Sequence, residues 1–212
     1  MEARLYLVRH GRSRANDAGI IVSALQNGVR PEYGLTDGLG REQARAAGQK
    51  LAACIEGTGA HDPLVILAHS PFSRTEQTAD EMARGMADAS GTFCAKLLPV
   101  EQFRERDFGA FELSSDANYE TVWEHDAVND VHWLDTHGVE RAEHVLQRMM
   151  HGIQAVYEHF RATEISLCIV SHGDALQILR AHLAAGIPPN LHRQLDALQN
   201  AQIVAVPCER PP

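Results

Sequence analysis

The stretch LYLVRHG at residues 5–11 decides the fold, because four apolar residues run directly into an arginine, a histidine and a glycine. Three further, largely apolar runs follow: PLVILA at residues 63–68, ISLCIV at residues 165–170 and IVAV at residues 203–206. Runs of this length and composition are typical of strands buried on both faces, as in a parallel sheet that helices cover. The sequence therefore predicts four strands of such a sheet.

Helical periodicity fills the intervals between these runs. Apolar residues recur at helical spacing over residues 39–55, over residues 141–160 and after His172, and another helix opens near Ser73. Strands that alternate with helices imply right-handed β-α-β units. We therefore expect an α/β three-layer sandwich, with a mostly parallel central sheet and helices on both faces. Residues 1–212 are expected to form one domain, with a helical or loop insert at about 110–138 that caps the site.

Composition and charge exclude several classes of protein. The chain has 212 residues, a formal net charge of −9, 44% apolar residues and 22% charged residues, which is an ordinary globular balance. The surplus of acid argues against a protein that coats nucleic acid or an anionic membrane, because both need a basic face. No apolar run reaches the roughly 20 residues that a membrane span needs.

Compartment is predicted from the cysteines and the start of the chain. The four cysteines (Cys54, Cys94, Cys168 and Cys208) are far apart, so we expect reduced, mostly buried thiols rather than a zinc site or disulfides. Because a strand pattern begins at Arg4, no signal peptide is expected. The expected location is the cytoplasm.

Histidines and arginines follow three of the predicted strands at the points where the strands end. Arg9, His10 and Gly11 follow the first strand, Arg74 follows the second by a few residues, and His172-Gly173 follows the third. Carboxyl ends of parallel strands meet at one edge of a sheet, where ligands bind. Glycine after each histidine lets the backbone turn sharply, and helix N-termini at Ser73 and Asp174 add partial positive charge. This combination favours a phosphate site.

These residue types indicate phosphoryl transfer. A neutral imidazole is a competent nucleophile toward phosphorus, and arginines with a second imidazole stabilise the charge on the transferring group. The leaving alkoxide needs a proton, so a carboxylic acid is expected nearby. Because arginines supply the positive charge and no metal-ligand cluster is visible in the sequence, we expect neither a metal nor a cofactor.

Five motifs in order give the chain a resemblance to a known family. LVRHG at residues 7–11, followed by Ser13 and Asn16, is the first; GLTDGLGREQA at residues 34–44, SPFSRTEQTA at 70–79, ERDFG at 105–109 and SHG at 171–173 follow it. Together they resemble the histidine phosphatase superfamily, in its phosphoglycerate mutase-like branch. The matches extend from residue 5 to about residue 180.

The resemblance implies a role for each matching residue. By it, His10 is the nucleophile that becomes phosphorylated, Arg9, Arg74 and His172 hold the phosphoryl group, and Glu105 is the proton donor. Glu101 is the rival acid, but Glu105 is favoured because it stands four residues before Gly109. The residues expected to contact substrate are Gly11, Arg12, Asn16, Thr36 and Gly173.

The chain also departs from the family pattern. Arg12 stands where the family usually has an acid, and Arg14 follows, so both are candidates to add positive charge at the mouth of the site. The insert is short compared with the cofactor-dependent mutases, which favours a phosphatase. The expected pocket is therefore small and basic within an acidic shell. His69 is expected to be structural, and Trp123 and Trp133 are expected to pack within the insert.

Three functions remain open from the sequence. The first is a metal-independent phosphatase that acts on phosphomonoesters of small metabolites through a phosphohistidine. The second is a cofactor-dependent phosphoglycerate mutase, and the third is a non-catalytic phospholigand-binding protein. The expected partner is a small phosphorylated substrate rather than nucleic acid or a membrane. A sheet edge near the C-terminal strand could pair with a second copy, as a homodimer.

Overall fold

The computed structural model describes residues 3–57, 64–89 and 93–208, and its centre is a five-stranded sheet. The strands are β1 (Ala3–Arg9), β2 (Leu64–His69), β3 (Cys94–Pro99), β4 (Ser166–Ser171) and β5 (Ile203–Cys208). They lie in the order β3-β2-β4-β1-β5. Strands β1 to β4 are parallel, and β5 pairs with β1 in the antiparallel sense. The predicted mostly parallel sheet is confirmed.

Helices connect the strands at the predicted places. Within the described ranges the α-helices are α1 (Arg14–Ala18), α2 (Leu25–Gly28), α3 (Leu39–Glu56), α4 (Ser73–Ala89), α5 (Asn118–Ala127), α6 (Val131–Thr136), α7 (Ala142–His159) and α8 (Gly173–Ala185). Short 3₁₀ turns lie at Pro31–Tyr33, Glu101–Phe103, Gly109–Phe111 and Pro189–Gln194. The four helices predicted from periodicity and motif correspond to α3, α4, α7 and α8.

Two hydrophobic clusters make the fold a three-layer sandwich. Successive side chains of a strand point to opposite faces of its sheet. Leu5 and Leu7 of β1 accordingly pack in one cluster with α7 and α8, whereas Tyr6 and Val8 pack in a second cluster with α3 and α4. Helices therefore cover both faces of the sheet, as predicted, and they leave the carboxyl ends of the parallel strands uncovered.

The two edge strands differ from the prediction. Residues 203–206 were expected to be buried on both faces, but β5 is an antiparallel edge strand in which Ala205 and Pro207 are exposed. A four-residue apolar run does not reveal how many neighbours a strand has, so the prediction was wrong on this point. Strand β3 was not predicted, because it lies at the opposite edge and mixes exposed residues such as Lys96 with half-buried ones.

The insert at 110–138 contributes α5 and α6, and a third small cluster attaches it to the body of the protein. Val122 and Leu134 pack there with Ile21, Phe108 and Val139. Trp133 packs within the insert as expected, with its ring centroid 3.8 Å from that of His125 and 4.1 Å from that of His137. The insert is thus fixed against the loop that precedes α2.

The cysteines are less buried than expected. Cys54 and Cys94 are exposed free thiols, because they lie on the outer face of α3 and at the start of an edge strand, while Cys168 is buried. The side chain of Cys208 lies outside the described residues. No described helix is long and apolar enough to cross a membrane.

Candidate active site

A cavity of about 220 Å³ opens at the carboxyl ends of β1 and β4. Its position at the carboxyl edge of the sheet is where ligands bind in this class of fold. Six of the residues predicted from the sequence line it: Arg9, His10, Asn16, Arg74, Glu105 and Gly173. The three separate strand ends therefore do meet in one site.

His10 is held in the tautomer that a nucleophile needs. Its Nδ1 lies 2.7 Å from the carbonyl oxygen of Gly11. A carbonyl oxygen only accepts, so this hydrogen bond assigns the proton to Nδ1 and leaves a lone pair on Nε2. Burial, together with the charges of Arg74 and Arg9, lowers the pKa of His10 well below its usual value. The imidazole is therefore neutral near pH 7.

Two arginines lie beside this imidazole, of which Arg74 is buried and Arg9 is half-buried. Nε of Arg74 donates to Nε2 of His10 over 3.2 Å, and its Nη2 donates to the carbonyl oxygen of Val22 over 2.8 Å. Nη1 of Arg9 donates to the carbonyl oxygen of Leu198 over 2.7 Å. Nη1 of Arg74 and Nε of Arg9 are buried without a hydrogen-bond partner among the described residues. A buried donor left unpaired is costly, so these nitrogens fit an anion that would occupy the cavity.

His172 lies beside His10 without lining the cavity. The two ring centroids are 5.4 Å apart, and His172 Nε2 lies 2.8 Å from the hydroxyl oxygen of Ser70. Its Nδ1 is buried and lacks a hydrogen-bond partner in the described part of the chain. Burial and the charge of Arg74 lower the pKa of His172 well below its usual value. It is thus a second neutral imidazole.

Glu105 lines the cavity as a carboxylic acid with an unusual pKa. It is 5% exposed, and its Oε1 accepts hydrogen bonds from the backbone N–H groups of Arg106 (2.9 Å) and Ala175 (3.3 Å). Burial and the negative charge of Asp174 raise its pKa to about 7. Glu101, the rival acid, is exposed in a 3₁₀ turn and does not line the cavity.

Asp174 supplies a fixed negative charge beside Glu105. It accepts hydrogen bonds from Arg106 Nη1 (3.1 Å), Trp123 Nε1 (2.8 Å) and His192 Nε2 (2.9 Å). Burial alone would raise its pKa, but His192 and Arg106 hold the pKa of this carboxyl well below its usual range. The two neighbouring carboxyls therefore differ, because one keeps its proton near neutrality and the other does not.

Three predicted contact residues support the loop instead of lining the cavity. The guanidinium of Arg12 pairs with Asp17 at 2.6 Å and points into solvent. The hydroxyl of Thr36 donates to the Arg12 carbonyl oxygen at 3.3 Å and accepts the Gly40 N–H at 2.9 Å. Gly11 is required for close packing, because a Cβ there would lie 2.4 Å from the carbonyl oxygen of Gly40.

Arg14 and His69 do not line the cavity, because each is held by a partner close to it in the fold. Arg14 pairs with Asp37 at 3.0 Å and does not reach the cavity. His69 is buried with Nδ1 2.8 Å from the carbonyl oxygen of Ser70, and it is not a lining residue. The expected basic mouth is therefore not formed by Arg12 or Arg14.

Other lining residues were missed by sequence reasoning. Trp123 was expected only to pack, but it lines the cavity and is stacked on Tyr119 with the ring centroids 5.5 Å apart. Arg193 also lines the cavity, with its guanidinium carbon 3.7 Å from the centroid of the Trp123 ring. Asp116 completes this outer wall. The aromatic residues of the insert could have indicated part of this wall from the sequence, but no sequence pattern indicates Arg193.

The charges of the cavity are balanced rather than simply basic. Its arginines are Arg9, Arg74 and Arg193, and its acids are Glu105, Asp116 and Asp174. The positive charge without local compensation is concentrated around His10. Within the described ranges, no group of three or more histidine, cysteine, aspartate or glutamate side chains is arranged to hold a metal ion.

Comparisons with known proteins identify the family of the chain. A family model described as the histidine phosphatase superfamily (branch 1) matches residues 5–210. No curated protein matches the sequence closely enough to count as a relative.

Solved structures share the fold at low sequence identity. A mycobacterial glucosyl-3-phosphoglycerate phosphatase in complex with VO3 is 20% identical, with a TM-score of 0.69 over 96% of this chain and 90% of that chain. A putative alpha-ribazole-5'-P phosphatase from Escherichia coli is 23% identical, with a TM-score of 0.64 over 97% and 90%. A phosphoserine phosphatase from Entamoeba histolytica in complex with 3-phosphoglyceric acid is 20% identical, with a TM-score of 0.64 over 96% and 89%.

Proposed function

Because the chain belongs to branch 1 of the histidine phosphatase superfamily, we propose that it hydrolyses phosphomonoesters of small metabolites through a phosphohistidine at His10. One observation carries the proposal. The neutral Nε2 of His10 is held 3.2 Å from Arg74, while buried nitrogens of Arg74 and Arg9 lack partners among the described residues. A phosphoryl group placed there would meet a nucleophile and unpaired donors together.

In the first step the ester phosphoryl group is transferred to the enzyme. Its oxygens take up the free donors of Arg9 and Arg74 and compete for the hydrogen bond that Arg74 makes to Nε2. Nε2 then forms a bond to phosphorus as the bond between phosphorus and the ester oxygen breaks. Glu105 gives its proton to that oxygen, and the alcohol leaves. The positive charge on the phosphorylated ring is stabilised by the Nδ1–H bond to Gly11.

In the second step water releases the phosphate. The Glu105 carboxylate formed in the first step takes a proton from the attacking water, whose oxygen bonds to phosphorus as the bond to Nε2 breaks. Inorganic phosphate leaves, and both His10 and Glu105 return to their starting protonation states. One carboxyl thus serves as acid and then as base.

Hydrolysis is proposed rather than mutase activity or simple binding. A mutase must retain its freed intermediate while the intermediate reorients. Among the described residues, the insert covers the cavity with only the short helices α5 and α6, which favours hydrolysis. A binding protein would have no use for a proton donor whose pKa is about 7. The pH optimum of the phosphatase activity is expected to be slightly acidic.

The cytoplasm is the proposed compartment, since reducing conditions would preserve the exposed thiols of Cys54 and Cys94.

Trapping of the phosphorylated enzyme tests this proposal. The protein is mixed with a ³²P-labelled phosphomonoester and quenched in alkali, and the labelled peptide is mapped. The label is expected on His10, to be lost in acid, and to be absent from His10→Ala. His151→Ala, which changes an exposed histidine of α7, is the matched control and is expected to label normally. Labelling that persists in His10→Ala would refute the proposal.

A further inference from the structure

Arg193 is a cavity-lining arginine whose role the proposed reaction does not use. It belongs to the 3₁₀ turn Pro189–Gln194, and its guanidinium carbon lies 3.7 Å from the centroid of the Trp123 ring. That separation is typical of a guanidinium stacked on an aromatic face. Stacking leaves the N–H groups in the plane of the guanidinium available. Arg193 is exposed, and among the described residues its guanidinium contacts the Trp123 ring but makes no hydrogen bond or ion pair.

One buried carboxylate positions both halves of this stack. Oδ1 of Asp174 accepts from Nε1 of Trp123 at 2.8 Å and from Nε2 of His192 at 2.9 Å. His192 is the chain neighbour of Arg193, is fully buried, and is also fixed by its Nδ1, 2.8 Å from the Pro189 carbonyl oxygen. The backbone next to Arg193 and the ring beneath it are therefore held by the same group. An arginine held in this way loses little conformational entropy when it binds a ligand.

The dimensions of the cavity limit what Arg193 can contact. A volume of about 220 Å³ lies below the 300–1,000 Å³ that is typical of pockets for larger ligands. The deep end is assigned to the phosphoryl group by His10, Arg9 and Arg74. The part of a substrate that lies between the phosphoryl group and Arg193 is therefore expected to be short.

The charges of the outer wall favour a carboxylate over a second phosphate. Asp174 keeps its negative charge beside Arg106, and Glu105 is protonated up to about neutral pH. Arg193 therefore lines the cavity together with two ionised acids, Asp116 and Asp174. A single negative charge matches one arginine, and a dianionic phosphate would be repelled by Asp116 and Asp174 about twice as strongly as a monoanionic carboxylate. The planar fork of arginine pairs with both oxygens of a carboxylate.

We propose that Arg193 binds a carboxylate of the substrate, so that the enzyme acts on small phosphomonoesters that carry a carboxylate group. This inference rests on the proposed phosphatase function and adds the substrate class to it. Arg193 is a specificity residue here, and it does not take part in the bond-making steps at His10.

A matched pair of esters tests the inference. 3-Phosphoglycerate and glycerol 3-phosphate differ in a carboxylate against a hydroxymethyl group. Wild type is expected to have the higher kcat/KM for 3-phosphoglycerate. Arg193→Gln is expected to lower that value about 10- to 100-fold, mostly through KM, as is typical for loss of a charged hydrogen bond. The rate on glycerol 3-phosphate should stay near that of wild type, and Arg193→Lys should restore part of the preference.

Controls separate this role from a purely structural one. Arg45→Gln changes a partly exposed arginine of α3 that pairs with Asp88 at 2.8 Å and with Glu81 at 3.5 Å outside the cavity, and it is expected to change kcat/KM for neither ester. Equal losses on both esters in Arg193→Gln, or no loss on either, would overturn the inference. A preference of wild type for propane-1,3-diol bisphosphate over 3-phosphoglycerate would overturn the assignment to a carboxylate.

Binding measurements distinguish failure of this inference from failure of the proposed function. If wild type hydrolyses no ester, the phosphatase proposal fails, and calorimetric titration with the same two esters decides the role of Arg193. Tighter binding of 3-phosphoglycerate by wild type, lost in Arg193→Gln, would support the inference. Equal binding of the two esters, or binding of neither, would refute it.

Discussion

Nε of Arg74 donates to Nε2 of His10 over 3.2 Å, so the guanidinium directly contacts the nitrogen that is proposed to attack phosphorus. The same arginine has a second buried nitrogen, Nη1, that lacks a partner among the described residues. One side chain therefore holds the nucleophile and presents a donor to the group that the nucleophile attacks. A lysine could supply the charge but not this geometry.

Arg74→Lys is therefore expected to lower kcat by about 10²- to 10³-fold, the usual loss when one donor to a developing oxyanion is removed. KM should change less, since the positive charge is kept. Steady-state release of inorganic phosphate measures both constants. Arg45→Lys, in a partly exposed position on α3 outside the cavity, is the matched control and should leave both unchanged. A rate for Arg74→Lys close to that of wild type would remove Arg74 from the transition state.

The pH dependence of kcat/KM is expected to be bell-shaped. Activity requires neutral His10, so it falls as pH drops through the pKa of His10, which lies below the usual value of 6.5. It also requires protonated Glu105, so it falls as pH rises through about 7. Glu105→Gln should remove the alkaline limb and lower the rate about 10²- to 10⁴-fold. An alkaline limb that survives in Glu105→Gln would assign it to another group.

The raised pKa of Glu105 has a consequence for stability. Between pH 4.5 and about 7 the unfolded chain releases this proton while the folded protein keeps it, so the free energy of unfolding falls as pH rises. A shift of this size corresponds to about 3 kcal/mol. Glu105→Gln should therefore be more stable than wild type at pH 8 but equal to it near pH 4. Urea unfolding at the two pH values measures the difference, and an equal difference at both would contradict it.

Asp174 is expected to set the alkaline limb through Glu105. Its negative charge raises the pKa of Glu105, so Asp174→Asn should move the alkaline limb of kcat/KM to lower pH. Asp126→Asn is the matched control, because Asp126 also pairs with buried Arg106, at 2.6 Å, but is not among the main causes of the raised pKa of Glu105. The alkaline limb should stay in place in that variant. Equal shifts in both variants would show that a general loosening of the site is the cause.

The inner part of the site could be predicted from the sequence because its residues follow strand ends. Arg9 and His10 come directly after an apolar run, and the polarity changes at the same point at which the sheet ends. Arg74 and Glu105 were placed by motifs of a few residues, whose geometry is local. The surroundings of the site were harder to predict. Arg12 was expected at the mouth, but Asp17 stands five residues away on the next helix and pairs with it.

The outer wall could not be predicted because tertiary packing brings it together. Trp123 reaches the cavity only because Val122, its neighbour on α5, packs with Ile21 and Phe108 in the small third cluster. Arg193 lies in a 3₁₀ turn without apolar periodicity, and its position depends on the buried contact of His192 with Asp174. The antiparallel direction of β5 could not be predicted either, since an apolar run does not indicate whether a strand pairs in the parallel or the antiparallel sense.

Arg106 is expected to hold the site together through charge. Its side chain is fully buried, with Nη1 2.6 Å from Asp126 and 3.1 Å from Asp174, and it joins the insert to the start of α8. Arg106→Met preserves most of the volume but leaves two buried carboxylates without their cation. Breaking one side of such a pair costs about 3–5 kcal/mol.

The loss should therefore appear in urea unfolding at pH 7. Arg45→Met, which breaks a partly exposed pair with Asp88 and leaves Glu81 paired with Arg41 and Arg84, should change stability little. The triple variant Arg106→Met with Asp126→Asn and Asp174→Asn should recover part of the loss, because neutral amides cost less to bury than unpaired charges. Recovery in the triple variant would identify uncompensated charge as the cause. If the triple variant were no more stable than Arg106→Met, the effect would instead come from lost packing around the arginine.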